Sequence, residues 1–125
     1  MNSLILVVDD QADTRHMLGM LLKFNHFRID EAIDGVDALS KIQDTKPDAM
    51  ILDVMMPRMD GITLCKKLRN DPETVNLPII MLSGKTTVEA KLEGLQAGAN
   101  FYMDKPMEIK ALLDNINYLL QLQQV

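Results

Sequence analysis

The chain has 125 residues, 47% of them hydrophobic, 25% charged and only 4% aromatic, which suits one domain with an aliphatic core and excludes two. A formal charge of −5 argues against direct nucleic-acid binding, which needs a basic footprint, and against an anionic membrane surface. The single cysteine, Cys65, excludes a disulfide framework and a cysteine metal cluster, and reads as a small buried hydrophobe on a helix.

The first element is the apolar run Leu4-Ile5-Leu6-Val7-Val8, which ends at Asp9-Asp10 and reads as a buried strand. A helix is expected over Ala12 to Phe24, with Met17, Leu18, Leu21 and Leu22 on one face. Phe27-Arg28-Ile29-Asp30-Glu31 alternates apolar and charged residues, as an edge strand does. Asp34-Gly35 then turns the chain into a helix with Ala38, Leu39 and Ile42 inward, which Pro47 stops. Ala49-Met50-Ile51-Leu52 is the third strand and ends at Asp53.

Pro57 and Gly61 bracket the next loop, and Ile62, Cys65 and Leu68 mark the helix after it. A polar loop runs from Asp71-Pro72 to Pro78, before the strand Ile79-Ile80-Met81-Leu82 and its end at Ser83-Gly84. Val88, Leu92 and Leu95 have the spacing of a helix that Gly98 closes. Phe101-Tyr102-Met103 is the last strand, and Lys105-Pro106 follows it. Ile109, Leu112, Leu113, Ile116 and Leu120 line a final amphipathic helix. Alternating strands and helices predict an α/β fold, a parallel sheet covered on both faces, as one domain over residues 1–125. No stretch has the length of a membrane-spanning helix and no charged leader opens the chain, so a cytoplasmic location is expected.

In open parallel sheets, ligands bind beyond the carboxyl ends of the strands. Asp9, Asp10, Asp53, Ser83 and Lys105 all fall at such ends, so the sheet would gather them into one cleft. Asp9, Asp10 and Asp53 make a hard oxygen site suited to Mg²⁺, or Mn²⁺ in its place. Asp53 is also a candidate nucleophile, because carboxylates form aspartyl phosphates. Lys105 supplies a positive charge for Asp53 at rest and for a phosphoryl oxygen afterwards. Ser83 offers a hydroxyl, and the Gly84 amide can approach an anion because no side chain shields it. Taken singly, Asp10 reads equally well as a helix cap, Ser83 as a turn former and Lys105 as surface charge. Their joint placement at four strand ends is what favours chemistry. His16 and His26 have no second ligand near them in sequence and read as solvent-facing.

At these residues the chain resembles the receiver domain of bacterial two-component response regulators. The resemblance rests on Ile5 to Asp10, on Leu52 to Gly61, on Pro78 to Ser83 and on Gly98-Ala99 through Lys105-Pro106. It implies a flavodoxin-like (βα)5 fold with strand order 2-1-3-4-5. It further implies that Asp53 accepts a phosphoryl group from a sensor histidine kinase or a histidine phosphotransfer protein. Asp10 and Asp53 would bind Mg²⁺ directly and Asp9 through water, with the Met55 backbone carbonyl as a further ligand. Ser83 and Lys105 would hold phosphoryl oxygens, Tyr102 would be the switch aromatic, and Lys105-Pro106 would be cis. The signal would pass to an output domain or a downstream protein, and the domain would catalyse only its own phosphorylation and slow dephosphorylation.

Three other functions compete. A phosphatase of the haloacid dehalogenase type needs an acid where Met55 stands, and a thioether cannot serve. A flavodoxin needs a phosphate loop, but Gln11-Ala12-Asp13-Thr14 lacks glycine and carries an acid. A scaffold that is never phosphorylated would have no use for the complete acidic set.

Overall fold

The computed structural model describes residues 2–56 and 58–123, so Pro57, expected to open the third-helix loop, lies outside the described residues. Five parallel strands form one sheet in the order β2-β1-β3-β4-β5. The strands are β1 (Leu4–Val8), β2 (Arg28–Ala32), β3 (Ala49–Asp53), β4 (Ile79–Ser83) and β5 (Phe101–Asp104). The helices between and after them are α1 (Ala12–Phe24), α2 (Gly35–Thr45), α3 (Gly61–Arg69), α4 (Val88–Ala97) and α5 (Ile109–Leu122). The expected fold and strand order are both present, and the alternating strand β2 does lie at an edge.

Side chains alternate across a strand, so β1, β3 and β4 each feed two cores. Leu6, Val8, Met50, Leu52, Ile79 and Met81 pack against Ala38 and Ile42 of α2, Leu64, Cys65 and Leu68 of α3, and Ala97 of α4. Ile5, Val7, Ile51, Ile80 and Leu82 pack on the other face against Leu18 and Leu22 of α1 and Leu112 and Ile116 of α5. Central strands buried on both sides explain why their sequences are unbroken apolar runs. Burying each Leu or Ile contributes about 1.5–3 kcal/mol, which is the main stabilising term for these layers.

Two helix faces differ from expectation. Met17 of α1 is exposed, while Leu18 and Leu22 carry the packing. On α4 the helix is where the spacing puts it, but Val88, Leu92 and Leu95 face outward, and Gly94 and Ala97 are the buried positions. The reason is close approach: a Cβ on Gly94 would lie 2.6 Å from the Tyr102 ring and 2.9 Å from the Met81 sulfur. A helix that sits this near the sheet can face it only with small residues, so its large apolar side chains lie elsewhere.

Caps and turns place the strand ends. Asp34, Asp60 and Thr87 cap α2, α3 and α4 by accepting the amides of Asp37, Thr63 and Ala90. Gly98 ends α4 in the left-handed conformation, as the sequence anticipates. Its carbonyl and those of Thr74 and Val75 accept hydrogen bonds from Arg69, which ties the loops flanking β4 to the end of α3.

The chain returns from the β3–α3 loop by touching the end of β3. The Gly61 N–H donates to the Val54 carbonyl at 2.9 Å. A Cβ on Gly61 would come within 2.7 Å of the Asp53 carbonyl oxygen and 2.8 Å of Val54 Cα, both of them backbone. Gly61→Ala should therefore destabilise the domain by about 1–3 kcal/mol, the usual range for overpacking. The check is the urea midpoint at unchanged slope.

Candidate functional site

Sheet geometry carries Asp9, Asp10, Asp53 and Lys105 to one end of β1, β3 and β5. One carboxylate oxygen from each of Asp9, Asp10 and Asp53 lies within 4.8 Å of the others. Asp9 and Asp53 are buried and Asp10 is exposed. The Lys105 ammonium stands 3.3 Å from Asp9 Oδ2 and 3.6 Å from Asp53 Oδ2. Lys105 is held there through its own backbone, whose N–H donates to the Ser83 carbonyl at 2.9 Å, and the Lys105-Pro106 peptide is cis.

Each acid is fixed differently. Asp9 Oδ1 accepts the Gln11 N–H at 2.9 Å, and the Asp9 N–H donates to the Ala32 carbonyl of β2 at 3.1 Å. Gln11, not Asp10, is the residue before α1, and it makes no side-chain cap, so Asp10 is not spent on capping. Asp53 Oδ1 accepts the Met55 N–H at 3.3 Å. Burial raises the Asp53 pKa above its ordinary value; Lys105 opposes this, and the neighbouring charges of Asp9 and Asp10 add to it.

The remaining sequence-derived residues are less tightly gathered. Ser83 is fully buried at the end of β4, but its Oγ accepts the Lys85 N–H at 3.0 Å, so locally it also forms the expected turn. Gly84 faces open space, since a Cβ there would meet nothing within 4 Å. The Tyr102 hydroxyl donates to the Lys85 carbonyl at 2.8 Å, which couples the β5 aromatic to the β4–α4 loop. Beside it is a cavity of about 600 Å³ bordered by Val54, Gly84, Thr87, Ala90 and Tyr102. The Met55 side chain is exposed.

His16 and His26 are solvent-exposed, although His16 Nε2 lies 3.5 Å from Glu31. Cys65 is fully buried, and burial raises its thiol pKa. Two arginine contacts are not evident from spacing. Arg15 of α1, paired with Glu31 of β2 at 2.9 Å, donates to the Asp9 carbonyl at 2.8 Å. Arg58 pairs with the buried carboxylate of Asp34. The Asp34-Gly35 turn signal marks half of the second pair, and nothing local marks its partner.

The donor set is all oxygen and all carboxylate, which fits a hard divalent cation such as Mg²⁺. Three carboxylates against one ammonium leave two formal negative charges uncompensated (−3 + 1 = −2).

Residues 5–117 match the family model of the response regulator receiver domain. The chain belongs to that family. It is a receiver domain of the two-component type, and the pocket of Asp9, Asp10 and Asp53 fits the phosphoacceptor site of such domains. It is 43% identical over 117 residues to response regulator MprA of Mycobacterium avium (strain 104), covering 94% of this chain and 50% of that protein. The chain thus spans about half the length of the curated relatives it matches. A crystal structure of a putative response regulator from Chloroflexus aurantiacus J-10-fl superposes with a TM-score of 0.92 at 38% identity, covering 97% of this chain and 99% of that one. The chemotaxis protein CheY4 of Vibrio cholerae gives 0.89 at 33% identity, covering 95% and 99%. The phosphatase alternative is not favoured by any of this, and among the described residues no helix is long and apolar enough to cross a membrane.

The raised Asp53 pKa has a consequence for stability. The fold favours the protonated carboxyl, so this contribution is present below the ordinary value of 3.8 and is lost as pH rises through the higher folded value. In metal-free buffer, Asp53→Asn should therefore be more stable than wild type at neutral pH. The advantage should shrink as pH falls toward 4 and Asp53 gains its proton. Urea midpoints between about pH 4 and 8 check this; a wild type as stable as the variant at neutral pH contradicts it.

Proposed function

We propose that Asp53 is the phosphoacceptor of this domain, that residues 1–125 act as one receiver unit, and that the donor is a phosphohistidine on a sensor kinase or phosphotransfer protein. The observation that carries the reading is the Asp53 carboxylate, buried at the end of β3 between two further carboxylates and the Lys105 ammonium. An Asp53 carboxylate oxygen attacks phosphorus, the phosphorus–nitrogen bond to the donor breaks, and the imidazole nitrogen leaves with the electron pair. The new charge is what the site must hold, since a phosphoryl group adds roughly −1.5 to −2 charges. Asp9, Asp10, Asp53 and the Met55 carbonyl would hold a Mg²⁺ ion, or Mn²⁺ in its place. When bound, that ion neutralises the carboxylates and the phosphoryl oxygens.

Lys105 begins paired with Asp9 and Asp53, so its ammonium is already next to the position that the phosphoryl oxygens will occupy. The Ser83 hydroxyl hydrogen and the Gly84 N–H supply donors from the β4 end. Drawing Ser83 and its loop toward the phosphoryl group would loosen the Lys85 carbonyl from Tyr102, whose ring borders the adjoining cavity. Phosphorylation then shifts an existing equilibrium because one loop position binds the new oxygens better. The altered face would act on an output domain or a downstream protein. The role is cytoplasmic signalling rather than turnover, with no direct contact to nucleic acid.

Incubation with acetyl phosphate and Mg²⁺ should add one phosphoryl mass to wild type and none to Asp53→Asn, read by intact-mass spectrometry. Sustained hydrolysis of phosphate esters would instead support the phosphatase, and an unmodified wild type the unphosphorylated scaffold.

Hydrolysis of the acyl phosphate needs a water activated near phosphorus. The exposed thioether of Met55, two residues past the nucleophile, cannot accept that proton. Decay should therefore be slow in wild type. It should rise by roughly 10²-fold in Met55→Asp, the low end of general-base effects, and by less in Met55→Asn. Equal decay rates in all three proteins would refute this.

A further inference from the structure

The β3–α3 loop is held at a point remote from the reacting atoms. The Arg58 guanidinium pairs with Asp34, which is only 3% exposed and already accepts the Asp37 N–H at 2.9 Å as the cap of α2. The next residue, Met59, lies so close to Gly35 that a Cβ there would stand 2.8 Å from Met59 Cβ. Arg58 itself has φ 66, a left-handed conformation that a non-glycine residue keeps only where its surroundings dictate it. Two successive loop residues are thus docked on the start of α2. At the near end, the Met55 N–H holds Asp53 and the Gly61 N–H holds Val54.

An exposed ion pair would be too weak to set a loop. Here one partner is buried, and a buried carboxylate left unpaired is costly, so the pair is strongly maintained. The Asp37 N–H first, and Arg58 second, hold the Asp34 carboxyl below its ordinary value, so it is ionised at neutral pH.

We propose that Arg58 is a positioning residue for the metal site: anchored on Asp34, it holds the loop so that the Met55 carbonyl and the Asp53 carboxylate face the cation together. This rests on the reading of Asp9, Asp10, Asp53 and Met55 as divalent-cation ligands. Among the described residues Arg58 pairs with Asp34 rather than with a member of that set; it acts through the loop, as outer partners of metal ligands do.

Arg58→Gly, set beside the double variant with Asp34→Asn, separates this role from general stability. Glycine accepts the left-handed conformation without strain, so the variant loses the guanidinium and keeps the backbone. Mg²⁺ titrated into the 125-residue chain by calorimetry should bind roughly tenfold more weakly in Arg58→Gly than in wild type. The thermal midpoint without Mg²⁺ should fall in Arg58→Gly, which leaves the Asp34 carboxylate without its ion-pair partner, and should fall less when Asp34→Asn is added, because no charge is then buried. Asp34→Asn keeps a capping side chain but removes the charge, and should weaken Mg²⁺ comparably. The double variant should lose no more than either single one, and Arg58→Lys should recover part of the affinity. Equal Mg²⁺ affinity in wild type and Arg58→Gly overturns the inference, as do losses that add in full in the double variant. A wild type that binds no Mg²⁺ overturns the metal reading and the inference with it.

Discussion

The Lys105 ammonium between the carboxylates of Asp9 and Asp53 is the contact on which this end of the molecule depends. Between the two buried carboxylates, Asp9 and Asp53, the repulsion when both are ionised is on the order of 3 kcal/mol at an effective dielectric constant near 20, and the exposed Asp10 adds less because water screens it. Burial of Asp9 and Asp53 removes the water that would otherwise screen them. One ammonium offsets part of that repulsion and leaves the rest for a divalent cation to offset. Because Lys105 is fixed by the β5 end and the Ser83 carbonyl, the same charge links β1, β3, β4 and β5. The site is in tension by construction, and that tension is its capacity to respond.

The scaffold bears this load because its interior is close to saturated. Each central strand is covered on both faces, so the strand ends hardly shift unless the cores do. The adaptable parts are the loops beyond those ends, and each has its own tether. Arg15 holds the Asp9 carbonyl, Arg58 holds the β3–α3 loop on α2, and Tyr102 holds the β4–α4 loop through the Lys85 carbonyl. The last of these is also tied to the β4 end, because Lys85 donates its N–H to Ser83. α4 meets the sheet through Gly94 and Ala97 and turns Val88, Leu92 and Leu95 outward. That contact is close but small, and it leaves an apolar surface beside the β4–α4 loop.

Strand positions were legible from Leu4–Val8, Ala49–Leu52 and Ile79–Leu82 because a strand buried on both faces has no polar position to spare. The acids were legible only together: singly, an Asp after a strand reads as a cap or turn former, and it is their joint placement with Ser83 and Lys105 at strand ends that points to a cation. The orientation of α4 was not legible. Apolar spacing identifies a helix, but which stripe faces the sheet depends on how near the helix sits, and Gly94 sets that distance only through Tyr102 and Met81. Arg15 and Arg58 were invisible for a similar reason, since their partners lie on other elements and no local spacing relates Arg58 to Asp34.

From the sequence alone follow the α/β class, the strand order implied by the family likeness, and the acids, Ser83 and Lys105 at the strand ends. The strand order rests on the likeness alone; the class and the strand-end residues follow because periodicity, helix caps and the cost of burying charge act over a few residues. Only the tertiary structure decided that the Asp9, Asp10 and Asp53 carboxylates converge within 4.8 Å and that Lys105 bridges Asp9 and Asp53. It likewise decided that Ser83 rests on its own loop and that Tyr102 is tied to Lys85. Those are distances between elements, set by how two cores pack on one sheet, and no single stretch of the chain encodes them.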